Sequence, residues 1–172
     1  MIPLMRVLRL LAMVVWVGGL VFFAFAVAPV SFGVLPTRHL AGLVVAGTLA
    51  ELHLMGVICG LVWIAATSYL FRTVPPQQRR LITTQVVCVG FMMLATFYVK
   101  DRIVPAMDRD LAAVGGDIDT AAPDNPARVD FERLHPISEK VEGAALFLGL
   151  GVVVLMGLEA QPRLVAEEEA TR

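Results

Sequence analysis

The chain has 172 residues, 58% of them hydrophobic, with a net charge of −1 and a mean hydropathy of +0.76. Soluble domains run at about 45–50% apolar, so the composition points away from a water-soluble globule. With no basic stripe it also points away from a nucleic-acid binder. Cys59 and Cys88 both sit in apolar runs, and their number and spacing make neither a disulfide framework nor a zinc motif.

The first apolar stretch, 8–30, opens beside Arg6 and Arg9. A spanning helix needs roughly 20 apolar residues to cross about 30 Å of hydrocarbon, and this run meets that length. It is also longer than the h-region of a cleaved signal peptide, despite the small residues of "AFAVA" at 24–28. Gly18 and Gly19 allow close backbone approach, while Trp16 and Pro29 bracket the helix. After the connector "SFGVLPTRHL" comes the second stretch, 41–70, too long for one perpendicular crossing. Glu51 and His53 near its start are expected outside plain lipid. Further along, Gly56 and Gly60 have small-xxx-small spacing, which favours close helix contact on the side of His53. Met55 and Cys59 lie on the other side. Together with Cys88 and Met92 of the next helix they offer soft donors of the kind copper(I) accepts, although such residues are ordinary packers.

"FRTVPPQQRR" leads to the third stretch, 81–99. The segment 100–133 is expected as an outer-side loop, with Pro105 kinking or ending helix three and "GGDIDTAAPDNPAR" as turn chemistry. A fourth helix is expected over 137–158, followed by a short tail, 159–172. The fold class expected is therefore all-α: a single domain formed by an integral membrane bundle of four antiparallel transmembrane helices. Arg6, Arg9, Arg72, Arg79, Arg80 and Arg163 fall on one side of such a bundle, which the positive-inside rule makes cytoplasmic. The expected location is the cell membrane with both termini in the cytoplasm.

Helix four opens on "FERLHPISEKVEG", a polar segment entering an apolar run. At about 100° per residue, His135, Ser138, Glu139 and Glu142 form one stripe, with Pro136 in the first turn and His135 cap-like. The stripe is either the wet mouth of the bundle or the edge of a polar interior, since ionisable groups within spans often mark an ion path. Glu51 and His53 lie at the same depth but about 200° apart, so both cannot face one centre. The candidate metal or proton site is thus His53, His135, Glu139 and Glu142, with Glu51 and Ser138 as further polar neighbours. Catalytic signatures are absent and no enzyme is expected. No cofactor is assigned. A haem held by His53 and His135 is the alternative, and a non-catalytic partner subunit is another. The expected partners are the lipid bilayer and either a second copy or another membrane protein.

Trp16, Gly18, Gly19, Phe22, Ala28, Pro29 and Phe32 follow the first-helix pattern of the transmembrane-protein-205-like family, and Leu134, His135 and Ser138 follow its approach to the last helix. The chain resembles that family, although the Asn of the family pattern near Glu142 has no counterpart here. The resemblance implies a four-helix membrane protein and, through an animal relative associated with platinum-drug resistance, a link to metal or drug handling. Transport of a metal ion or small cation, or resistance to one, is the leading expectation.

Overall fold

The computed structural model describes the backbone of residues 1–170 and the side chains of residues 1–76 and 78–159. Six α-helices and two π-helical turns make four long rods. The first rod is α1 (Ile2–Phe22), a π turn (Phe23–Val27) and α2 (Ala28–Val34). The second is α3 (Arg38–Phe71), and the third is α4 (Pro76–Tyr98), a π turn (Val99–Ile103) and α5 (Val104–Ala113). The fourth is α6 (Pro126–Ala170). Four helices are long and apolar enough to cross a membrane, and no strand occurs among the described residues. The chain is an all-α integral membrane bundle.

Each rod is longer than its apolar run. Pro105 neither ends nor replaces helix three. It follows the π turn Val99–Ile103 by two residues, and Pro29 stands in the same relation to the turn Phe23–Val27. A proline inside a helix lacks an N–H and crowds the carbonyl four residues back. One widened turn before the ring accommodates both, and the rod continues. The expected loop 100–133 therefore shrinks to a short connection. α5 ends at the glycine pair, where Gly116 N–H donates to the Leu111 carbonyl at 2.8 Å and Gly115 N–H to that of Ala112 at 3.3 Å. The two glycines have φ of +81° and +98°, which glycine adopts without the Cβ penalty. α6 then starts at Pro126 rather than at 137. Asn125 accepts from the Ala127 N–H at 2.9 Å, and proline in the first helical position needs no partner for a missing N–H. Pro136 consequently lies inside α6, not in its first turn, and His135 is no cap. At the other end α6 continues through the expected tail to Ala170; the tail's side chains beyond Glu159, and residues 171–172, lie outside the described residues.

Around the bundle, α1 packs on α3, α3 on α4, α4 on α6, and α6 back on α1. Consecutive rods are thus antiparallel neighbours, and α3 lies diagonal to α6 as α1 does to α4. The inward positions recur at alternating spacings of three and four. On α4 and the turn after it they are Ile82, Gln85, Val89, Met92, Thr96, Val99 and Ile103, all buried. The matching row on α6 is Ser138, Glu142, Ala145, Gly149, Val152, Met156 and Glu159. Such spacing is that of a left-handed bundle with knobs-into-holes packing. It drifts about 20° per heptad from a straight wheel, so the inward row winds slowly round each helix.

The closest packing is where glycine meets tryptophan. A Cβ on Gly56 would sit 2.6 Å from Trp16 Nε1, and one on Gly60 would sit 3.1 Å from the same ring. Trp16 is fully buried because α3 presents a groove of small residues to it. Gly19 serves α1 in the same way, against Leu52, whereas Gly18 meets nothing within 4 Å. The centre of the bundle is dry: Met13, Trp16, Val17, Leu52, Trp63, Val89, Met92, Leu146 and Val152 form one cluster. Large apolar residues such as Phe22, Phe25, Phe91, Leu94 and Phe147 cover the outside, as suits a surface solvated by lipid tails.

Candidate functional site

Two polar layers are built into this bundle, one on either side of the dry centre. The first joins helices that do not touch along their backbones. His53 of α3 is 3% exposed and its Nε2 lies 2.5 Å from Glu142 Oε1 of α6, across the diagonal. Gly56, one turn further along α3, leaves room for Trp16 to close the bundle directly beside the pair. At that distance the two atoms share a hydrogen bond, and each side chain gives the other a partner in an interior where a lone buried charge costs several kcal/mol. Chemically the pair is two bases sharing a mobile proton, with a carboxylate lone pair able to receive a small cation in its place.

The other candidates are placed elsewhere. His135 and Glu139 pair with each other at 3.3 Å on the outer face of α6, with side chains 47% and 67% exposed, and His135 stacks on Phe131. Ser138 faces inward but returns its hydroxyl to the His135 carbonyl at 2.7 Å. Glu51 is exposed, as its angular offset from His53 demands. The predicted cluster thus divides into an inner pair, His53–Glu142, and an outer pair, His135–Glu139, and no group of three or more His, Cys, Asp or Glu gathers among the described residues. His53 and His135, proposed haem ligands on sequence grounds, occupy the interior and the outer face respectively. Of the soft donors, Met92 is buried, Cys59 and Cys88 are half-buried and Met55 is exposed, in keeping with packing roles on the side away from His53.

The second layer was missed by sequence reasoning. Arg9 of α1 is 2% exposed. Its Nη2 donates to Gln85 Oε1 of α4 at 2.5 Å and to Glu159 Oε2 of α6 at 3.1 Å. Gln85 Nε2 also donates to Glu159 at 3.4 Å, so three helices are tied at one level. The guanidinium lies over the Trp63 ring, 5.1 Å from its centroid, which adds a cation–π contact from α3, the rod not otherwise tied to this layer. Arg9 reads from sequence as a flanking charge that sets orientation, but the register places it four residues before Met13 and seven before Trp16, on the inward row. The signal that finds it is the spacing of three and four shared by His53, Gly56, Gly60 and Thr67, which continues to Gln85 on α4 and Glu159 on α6. Glu142 and Glu159 are 17 residues apart, so the two layers stand about 25 Å from each other along the bundle.

No curated protein and no solved structure matches the chain. One family model does, described as "Domain of unknown function (DUF4149)", over residues 11–111. It covers the rods that carry His53, Trp63 and Gln85 and ends before α6. Since this is more than half of the chain, the protein belongs to the DUF4149 family.

Proposed function

We propose that the protein handles protons or a single small cation within the membrane, with His53 and Glu142 as the exchangeable site. One observation carries this reading: an imidazole and a carboxylate, on diagonal helices, meet at 2.5 Å inside a bundle that otherwise places apolar residues there. Ionisable groups are costly at that depth and mark ion or proton pathways where they occur. A pair of donors suits a proton or a loosely held cation better than a resident metal, which takes three or four protein ligands. Transport or resistance involving a metal ion or small cation, the reading that the resemblance to the transmembrane-protein-205-like family also implies, would begin at this pair. The dry cluster around Trp16 and Trp63 closes the bundle below it, so passage requires a rearrangement or a second copy rather than an open pore.

The test is reconstitution of the purified chain in liposomes with a trapped pH dye, under an imposed potential and in turn with Na⁺, K⁺ and Zn²⁺ gradients. The expected result is a proton or cation flux that Glu142→Gln abolishes while the variant keeps its helical content and its detergent-corrected mass. Equal flux in wild type and Glu142→Gln would remove the pair from any such role.

A further inference from the structure

We propose that a second site, a cleft between α3 and α4 at the end of the bundle carrying the N-terminus, binds the headgroup of an anionic phospholipid. The cleft holds about 340 Å³ and is lined by Thr67, Ser68, Phe71, Thr83 and Val86. Ser68, Phe71, Thr83 and Val86 are exposed on the outer surface of the rods, so the cleft opens toward lipid. It starts beside the Arg72–Pro75 connection and runs along the adjoining turns of α3 and α4.

Two independent features indicate its occupant. The first is an orphaned hydroxyl. Thr67 is 2% exposed, and its Oγ1 has no hydrogen-bond partner. Ser31, Thr48 and Thr84 return their hydroxyls to the carbonyl four residues back, the usual resort of such residues in apolar helices. Thr67 does not, although Trp63 stands at that position. A buried polar group without a partner is uncommon enough to call for one, and Thr67 is one of the residues lining the cleft. The second is charge. Arg72, Arg79 and Arg80 are exposed in and just after the connection between α3 and α4, and the Arg79 guanidinium lies over the ring of Phe71, which lines the cleft, at 5.9 Å. None of the three is in an ion pair among the described residues, and the stretch 52–100 contains no Asp or Glu. Cationic side chains above, hydroxyls within and apolar walls of Phe71 and Val86 match a phosphate, a glycerol backbone and the start of an acyl chain in that order. Basic recesses between transmembrane helices seat acidic headgroups by this arrangement.

The experiment uses the full chain in mild detergent, titrated with phosphatidylglycerol or phosphatidylcholine of the same acyl composition, and read by native mass spectrometry and thermal unfolding. Phosphatidylglycerol is expected to bind stoichiometrically and to raise the melting temperature, and phosphatidylcholine to do neither. Arg79→Gln, on the surface, is expected to weaken binding about fivefold. Thr67→Val, nearly isosteric, is expected to weaken it several-fold with helical content unchanged, and Arg6→Gln, at the same end but on α1, to leave it as it is. Equal binding of the two lipids, wild-type affinity in both Arg79→Gln and Thr67→Val, or saturation by inorganic phosphate alone at comparable concentration would overturn the proposal.

Discussion

His53 and Glu142 show how much one side-chain contact decides in this protein. Each is a liability in the bilayer alone, and each is made tolerable by the other. Deleting either partner leaves a buried polar group unmatched, which typically costs 3–5 kcal/mol for a buried pair. His53→Ala and Glu142→Ala should therefore each lower the unfolding free energy by about 2–4 kcal/mol, with strong non-additivity in the double variant. Steric-trapping or denaturant unfolding in detergent checks this, and strictly additive losses would mean that the two residues do not communicate. Arg9 makes the same case at the opposite layer with more partners at stake: Gln85, Glu159 and the Trp63 ring. Arg9→Ala should destabilise by about 3–5 kcal/mol, whereas the combined replacement Arg9→Met, Gln85→Leu and Glu159→Leu should recover most of the loss, because no buried polar group is then left without its partner. Both pairs were only half legible. His53 and Glu142 stand out as lone polar residues in apolar surroundings, but nothing in one dimension shows that a residue on the second rod meets one on the fourth.

At the scale of elements, glycine and proline set the outlines. Gly56 and Gly60 form the groove that admits Trp16, and the spacing that predicts close helix contact on the His53 side is realised on α1. Gly56→Leu forces a side chain onto an indole with no free volume. It should cost at least about 1–3 kcal/mol by overpacking, seen as a fall in melting temperature, while Gly18→Leu, with nothing within 4 Å, should be nearly neutral. Pro105 teaches the converse lesson. Read alone it kinks or ends a helix, and here a widened turn lets the rod continue, at less cost than exposing several backbone groups where the rod has α6 to pack on. The length of α6 was also underread, because hydrophobicity marks the portion of a helix in lipid and is silent about turns that continue in water. There the Asn125 cap and the Arg128–Glu132 pair carry the helix instead. Asn125→Ala should cost about 1 kcal/mol and fray the first turns of α6, measurable as faster amide exchange near residues 126–129.

The whole molecule is a dry bundle between two polar layers, and that arrangement bears on what it can do. With Trp16, Trp63, Met13 and Met92 filling the centre, a single bundle at rest should pass no ions. Flux that rises more steeply than protein density would indicate assembly, saturable flux from isolated single bundles would indicate rearrangement, and a constant, unsaturable leak from them would contradict the sealed centre. Orientation belongs to this scale too. The proposal that both termini are cytoplasmic rests on the arginines of α1 and of the connection before α4, and it expects a C-terminal fluorescent fusion to be active and a C-terminal periplasmic reporter to be silent.

The amino-acid sequence by itself determined that this chain is helical and membrane-spanning, with four rods, because the bilayer demands long apolar segments whose backbones satisfy themselves. It also marked His53 and Glu142 as polar residues out of place, together with His135 and Glu139. Only the tertiary structure decided that these two meet while His135 and Glu139 look outward, and that Arg9, Gln85 and Glu159 form a second layer. The physical reason is that lipid tails are as apolar as the core. A soluble helix reveals its inner face by hydrophobicity, whereas here both faces are apolar. Rotation about each helix axis is set by which small and polar residues fit against the neighbouring helix, a property of the packed bundle rather than of any one segment.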